Sequence, residues 1–436
     1  MKATQSVIVR LLRNLGSGRE VEQYLKQFAA LDTQKFAVIK VGGGIMQDQL
    51  DDLAGALTFL TQVGLFPIVV HGAGPQLNAA LAAEGIETTL LDGMRVTDEA
   101  TLRVARRVFR EVGESLVDKL ESLGTRARPI HSGVLEAEPL DFARYGYVGK
   151  VTTVHLDPLR SAVRKSGCLP IVSSLAETSS GQIMNINADV AARELALAIE
   201  PFKIIFLTPT GGLLNEHGGI MSAVNLAEDY DHLMSQDWVA GGMRLKLEEI
   251  HGLLGKLPYS SSVSITKPSH LAKELFTYRG SGTLIRRGER VVEHHNLDGV
   301  DQDGMKALLE TCFGKRLVDG YFESKEFFRL YLADSYRATA ILTKEGGVPY
   351  LDKFAVTQQA QGEGIGGSIW QRMRSDNPRL FWRARVGNDI NGWYFRHADG
   401  TFRSDDWVVF WYGLEDFATA KDCVDRALAI APTMLP

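Results

Sequence analysis

Apolar and polar positions follow two different rhythms along this chain. Between Phe36 and Thr210, the apolar runs FAVIKV, FPIVVHG, CLPIVSSLA and FKIIFLTP each stop at glycine or other small, turn-forming residues. After FPIVVHG, the stretch PQLNAALAAEGI places its apolar residues at helical spacing. Continuous apolar strands alternating with helices predict an α/β unit with a mostly parallel sheet and helices on both faces. Ligands of such sheets bind off the carboxyl ends of the strands, where KVGGG, HGAGPQ and TPTGGLL fall. Near Arg286 the rhythm changes. RRGERVVEHHNLDGVDQDG is charged and poor in apolar runs, which marks a boundary. Beyond it, RLYLADSYRATAIL, YLDKFAV, LFWRAR and DDWVVFWYG read as aromatic-rich strands of antiparallel character. Five of the six tryptophans lie after residue 369, so the second part does not repeat the first.

A length of 436 residues exceeds one typical core and favours two domains. A net charge of −5 offers no basic field for nucleic acid or an anionic membrane, and neither is expected as a partner. No apolar run reaches the roughly 18 residues of a transmembrane helix. Cys168, Cys312 and Cys423 are far apart and share no metal-ligand spacing, which fits a reducing compartment: the cytoplasm, or a mitochondrial matrix in a eukaryote. Before Glu20 there are Lys2, Arg10, Arg13 and Arg19 but no acid. The amphipathic SVIVRLLRNL within this stretch weakly resembles a transit peptide and is read here as a surface or subunit-contact arm over residues 1–30.

Lys40 ends a strand and precedes Gly42, Gly43 and Gly44. Glycines let backbone N–H groups approach phosphate oxygens, and a lysine adds a point charge. Neither the P-loop nor GxGxxG spacing is met. The next strand ends in a second glycine loop, Gly72 and Gly74. GMRVT offers Arg95 for bidentate grip of a carboxylate. NINADVAA sets Asn185 and Asp189 four apart, on one face if helical, and GGMRLK brings Lys246.

In this order, over roughly residues 30–290, these motifs resemble the amino acid kinase family, and within it the N-acetylglutamate kinases. The resemblance implies that Lys40 and Lys246 neutralise the phosphoryl group in flight and that Asp189 holds both lysines. Gly43, Gly44, Gly72 and Gly74 supply backbone contacts, while Arg95 and Asn185 bind N-acetyl-L-glutamate. A carboxylate nucleophile is already ionised at pH 7, so the chemistry needs positioning and electrostatics around Mg-ATP and no general base. Two positions depart from the pattern: Ala73 stands where many members carry a third glycine, and Pro209 where many carry an acid. ELFTYRGSGTLI resembles the arginine-binding segment of arginine-inhibited members, which implies L-arginine at Glu274 and Gly280 and a homo-oligomer, tetramer or hexamer.

A second cradle, QGEGIG, lies between the strand LDKFAV and the helical SIWQRM. The form Q-x-x-G-x-G in that context resembles the pyrophosphate loop of GNAT acetyltransferases, which implies acetyl-CoA at Gln361, Gly362, Glu363, Gly364, Ile365, Gly366 and Gly367. The tail is similar to the acetyltransferase domain of vertebrate-type N-acetylglutamate synthases. By that resemblance Lys353, and Tyr394 in a WYF strand, serve the reaction, and Arg383, Arg385 and Asn388 receive L-glutamate. The choice between the two arginines stays open, on the ground that alternate strand residues face opposite sides. The expected organisation is an arm (1–30), a kinase domain (31–288) and an acetyltransferase domain (289–436), with ATP and acetyl-CoA as cosubstrates and no tightly bound metal or prosthetic group. The expected function is glutamate acetylation followed by phosphorylation of the product, in arginine biosynthesis. The alternative is a synthase alone, with the kinase-like part sensing arginine.

Overall fold

A computed structural model of the chain describes residues 35–435 except 277–280, 359, 362 and 363; the side chains of Phe276 and Glu345 are also outside it. The expected arm, Gly280, Gly362 and Glu363 therefore lie outside the described residues. Two compact units meet in sequence at Arg287/Gly288.

The strands of the first unit include β1 (Ala37–Val41), β2 (Ile68–His71), β3 (Ala127–Ile130), β4 (Leu169–Ser173), β5 (Ile183–Asn185), β6 (Lys203–Leu207), β7 (Ala223–Asn225), β8 (Ser262–Thr266) and β9 (Thr283–Arg286). The main sheet has the order β7-β9-β8-β6-β1-β2-β4-β3. Neighbours from β8 to β3 pair in parallel, and β9 runs against β8. Burial on both faces explains the unbroken apolar runs. Ile39 and Val41 pack into one cluster with Leu53, Leu57 and Leu116, while Val38 packs on the other side with Ala192 and Leu195. Three helices start just past strand ends: α1 (Gly43–Asp48), α2 (Gly74–Ala83) and α3 (Ala188–Ile199). A further helix, α4 (Gly241–Leu254), carries Lys246. CLPIVSSLA is not one strand. It breaks at Ser174, and Leu175–Glu177 joins β5 in a separate four-stranded sheet.

The second unit contains β10 (Val291–His294), α5 (Gln302–Phe313), β11 (Arg316–Leu317), β12 (Phe327–Ala333), β13 (Ala338–Glu345), β14 (Val348–Val356), α6 (Ile365–Asp376), β15 (Leu380–Arg385), α7 (Asn391–His397), β16 (Gly400–Arg403), β17 (Trp407–Tyr412), α8 (Phe417–Ala429) and β18 (Met434–Leu435). Its sheet has the order β10-β12-β13-β14-β15-β17-β16, antiparallel except for β14 and β15. That parallel pair is joined at only two positions, Tyr350 to Phe381 and Leu351 to Trp382, after which the strands diverge. The WYF segment is not a strand as expected. It is the helix α7, whose period buries Asn391 and Tyr394 together three residues apart. Trp382, packed among Trp370, Tyr394, Phe410 and Tyr412, anchors the core beneath it.

Trp382→Ala is expected to lower unfolding stability by about 3–5 kcal/mol. Denaturant unfolding followed by tryptophan fluorescence reads this unit selectively, and an unchanged midpoint would contradict the placement of Trp382 in its core.

Candidate functional site

In the first unit, β1, α1, β2, α2 and α3 converge on one cavity of about 270 Å³. Lys40, Gly43, Gly72, Gly74, Arg95 and Asn185 all line it. The first glycine loop fits tightly against the second. A Cβ on Gly43 would lie 2.7 Å from Pro75 Cδ and 2.8 Å from the Gly74 nitrogen, and one on Gly72 would lie 3.2 Å from Ala188 Cβ. Gly44 and Gly74 meet no such contact. Gln76, which the motifs did not single out, ties the loops by donating from Nε2 to the Gly43 carbonyl at 2.8 Å.

Asp189 sits in the first turn of α3, behind the cap Asn187, whose Oδ1 accepts from the Asp189 N–H. Its Oδ2 accepts from Lys40 Nζ at 3.0 Å, and its Oδ1 lies 3.7 Å from Lys246 Nζ. Burial pushes the Asp189 carboxyl up, but the two ammoniums outweigh it and hold the group below its usual range. Lys246 also lies 4.8 Å from the centroid of Phe206. Asn185 and Asp189 do not share a helix face as expected: Asn185 ends β5 and donates to Thr97 Oγ1, because the chain turns before α3 begins. Arg95 is held in place by Thr88 Oγ1 and Asn78 Oδ1, each at 2.5 Å. Pro209 is exposed in the loop after β6, and Ala73 is buried ahead of α2.

Two buried titratable groups of this unit, one beneath the site and one at the other end of the sheet, were not singled out. His71 ends β2 beneath the second glycine loop, with Nε2 3.4 Å from Ser173 Oγ. Burial pushes its imidazole down to about 4. Lys203, at the start of β6, is pushed down to about 7, by burial and then by Arg286, with Glu274 acting in the opposite sense. Glu274 is itself buried and accepts N–H bonds from Ser281 and Gly282. No local pattern marks either residue, since each lies within an ordinary apolar run.

In the second unit, Gly364 has φ 90° and opens α6, and a Cβ on Gly366 would lie 2.9 Å from Val356 Cγ2. The turn thus brings the N-terminus of a twelve-residue helix close against the end of β14. Gln361 Nε2 donates to the Val356 carbonyl, and Gly367 faces open space. The backbone N–H groups at such a terminus suit a pyrophosphate.

The diverging strands divide the other residues between two faces. Phe354 stacks on Trp393 of α7, so its neighbour Lys353 faces the opposite side, with Ala355 and α5. Lys353 Nζ donates to Asp352 Oδ2 at 2.5 Å and to Thr433 Oγ1 at 2.6 Å. Burial pulls its pKa down, against the pull of Asp352. Arg383 and Arg385 are two apart and share a face, contrary to the expectation. Their guanidiniums lie 3.9 and 4.0 Å from the centroid of Trp407, and Arg383 also donates to the Ala427 carbonyl. Tyr394 lies on the α6 and α7 side, where burial pushes its phenol far up and keeps it protonated. Asn388 is exposed between β15 and α7 and accepts from the Ile390 N–H.

A carboxylate-bridged lysine pair beside two glycine-led helices has the charge and backbone donors that phosphoryl transfer needs. A glycine-led helix beside splayed strands suits the pyrophosphate of an acyl-CoA. The comparisons identify the two domains. Residues 35–254 match the model of the amino acid kinase family, and residues 292–430 match that of the N-acetyltransferase of N-acetylglutamate synthase. An acetylglutamate kinase of Xanthomonas campestris is 49% identical over 426 residues, covering 97% of this chain and 100% of the relative. Human mitochondrial N-acetylglutamate synthase is 36% identical over 421 residues, covering 94% of this chain and 75% of the relative. The solved N-acetylglutamate synthase of Neisseria gonorrhoeae, complexed with coenzyme A and N-acetyl-glutamate, shares the fold with a TM-score of 0.68 at 21% identity, covering 91% of this chain and 98% of that one. The chain belongs to the amino acid kinase family, with the acetyltransferase domain of N-acetylglutamate synthase fused to it.

His71 gives the first unit a pH dependence. Below pH 6.5 the unfolded chain takes up a proton that the buried imidazole refuses until about pH 4, so stability falls as pH falls through that window. The expected loss is about 2 kcal/mol between pH 7 and pH 5. Hydrogen exchange at β2 measures it, and His71→Gln should flatten the profile.

Proposed function

We propose that the chain catalyses two successive steps of arginine biosynthesis. The second unit transfers acetyl from acetyl-CoA to L-glutamate. The first phosphorylates the side-chain carboxylate of N-acetyl-L-glutamate with Mg-ATP. The domains are residues 31–288 for the kinase and 289–436 for the acetyltransferase, and the setting is the cytoplasm. The intact Lys40, Asp189 and Lys246 set carries the kinase reading, since a unit kept only to sense an amino acid needs no bridged pair of ammoniums beside glycine loops.

In phosphoryl transfer, Lys40 and Lys246 offset the negative charge of the moving group while Asp189 keeps them apart and aimed. The glycine loops of α1 and α2 bind phosphate oxygens through N–H groups. Arg95 and Asn185 hold the acceptor. The acceptor carboxylate attacks the γ-phosphorus, the O–P bond to ADP breaks, and no proton moves. In acetyl transfer, the deprotonated amine of glutamate attacks the thioester carbonyl, a C–N bond forms, the C–S bond breaks, and the proton shed by the nitrogen balances the one that the thiolate takes up through Tyr394. Tyr394, held neutral by burial, donates its proton to the departing thiolate. Arg383, Arg385, Asn388 and Lys353 receive the acceptor. L-Arginine binding at Glu274 and Gly280 would inhibit the chain, within a homo-oligomer of four or six copies.

The exposed Pro209 favours a second reading, a synthase whose first unit only senses arginine. Incubation with N-acetylglutamate, ATP, magnesium and hydroxylamine separates the two. Hydroxamate should form, and Lys40→Met should slow it by at least about a hundredfold. No hydroxamate above the Lys40→Met background would leave the second reading standing. In a thiol-release assay with acetyl-CoA and glutamate, Tyr394→Phe should lower kcat by roughly a hundredfold or more; an unchanged rate would remove its proton-donor role.

A further inference from the structure

Beneath the acetyltransferase sheet, Asp352 is 3% exposed and faces two lysines. Its Oδ2 accepts from Lys353 Nζ and from the Tyr321 hydroxyl at 2.6 Å. Lys325, in the segment after the short helix Tyr321–Ser324, lies 3.7 Å from Asp352 Oδ1, beyond hydrogen-bond length. Two ammoniums against one carboxylate leave a net charge of +1. The lysine side chains are only 5% and 18% exposed, so little water is available to solvate that excess. Arg383 acts on Lys353 from the same side and adds to it. A buried excess of positive charge calls for an anion.

The donors of the two lysines are not equally available. Lys353 Nζ already has three acceptors: Asp352 Oδ2, Thr433 Oγ1 and, at 3.3 Å, the Asp352 carbonyl. Lys325 makes no other polar contact among the described residues. Thr433 is in reach because β18 pairs with β11, where the Val318 N–H bonds to the Thr433 carbonyl.

We infer that Lys325 is an acceptor-binding residue of the acetyltransferase unit, contacting a carboxylate of the acidic amino acid, and that Thr433 positions Lys353 beside it. This rests on the synthase reading above and names the cation that selects a carboxylate side chain over its amide. Lys325 is placed to meet the acceptor from the face carrying Lys353 and Arg383, while Tyr394 meets the thioester from the other, through the gap between β14 and β15.

Steady-state acetyl transfer by the full chain tests this, with glutamate and glutamine as competing acceptors. Lys325→Met and Lys325→Gln should raise KM for glutamate about tenfold or more. They should erode its preference over glutamine, and Lys325→Arg should recover most of both. Acetyl-CoA KM and phosphoryl transfer should stay as in the parent, which also reports that the variants fold. Thr433→Val should raise glutamate KM a few-fold, and Thr433→Ser should restore it. Glutamate KM and acceptor preference within twofold of the parent for both neutral Lys325 variants would overturn the inference alone. A parent chain that releases no thiol with glutamate would overturn the synthase reading and this inference together.

Discussion

One arrangement governs both units: a single carboxylate shared by two ammoniums. Asp189 serves Lys40 and Lys246, and Asp352 serves Lys353 and Lys325. A lone buried lysine would tend to lose its proton, and a one-to-one pair would cancel its field. Two lysines on one carboxylate stay anchored and still leave positive charge directed at a ligand. In the first unit all three groups come from separate elements, and in the second Lys325 reaches the Asp352–Lys353 pair of β14 from another segment, so the full charge is presented only when the fold is assembled. Asp189 makes this clearest, since Lys40 ends β1, Asp189 opens α3 and Lys246 lies in α4.

The second constraint is close backbone approach. Phosphate and pyrophosphate oxygens are met by N–H groups at helix starts, which requires glycine where a side chain would collide. Gly43 against Gly74 and Gly366 against Val356 are places where a side chain would collide with the neighbouring chain. The parallel sheet gathers its loops at one edge. The second sheet does something different, parting β14 from β15, with Lys353 on one face and Tyr394 on the other.

Much of this was legible in the sequence. The parallel sheet followed from unbroken apolar runs, and Lys40, Arg95, Asn185, Asp189 and Lys246 were marked by glycines or turns beside them. What the sequence hid follows from period and distance. NGWYF has the aromatic content of a strand, yet it folds as a helix because burial of Asn391 with Tyr394 uses a spacing of three. Arg383 and Arg385 were set on opposite faces although a strand places residues two apart on the same one. Thr433 and Lys325 reach Lys353 and Asp352 only through strand pairing and a chain reversal, which no local pattern encodes. His71 and Lys203 sit inside apolar runs and become notable only through burial.

We propose that one chain carries both chemistries, each organised around its shared carboxylate. Carbon-13 NMR of a single mixture tests it most directly, with glutamate, acetyl-CoA labelled on the acetyl carbonyl, Mg-ATP and hydroxylamine, and no added N-acetylglutamate. Label should pass first into N-acetylglutamate and then into its side-chain hydroxamate, with the second step lost in Asp189→Asn and the first retained. Label that stops at N-acetylglutamate in the parent chain would contradict it.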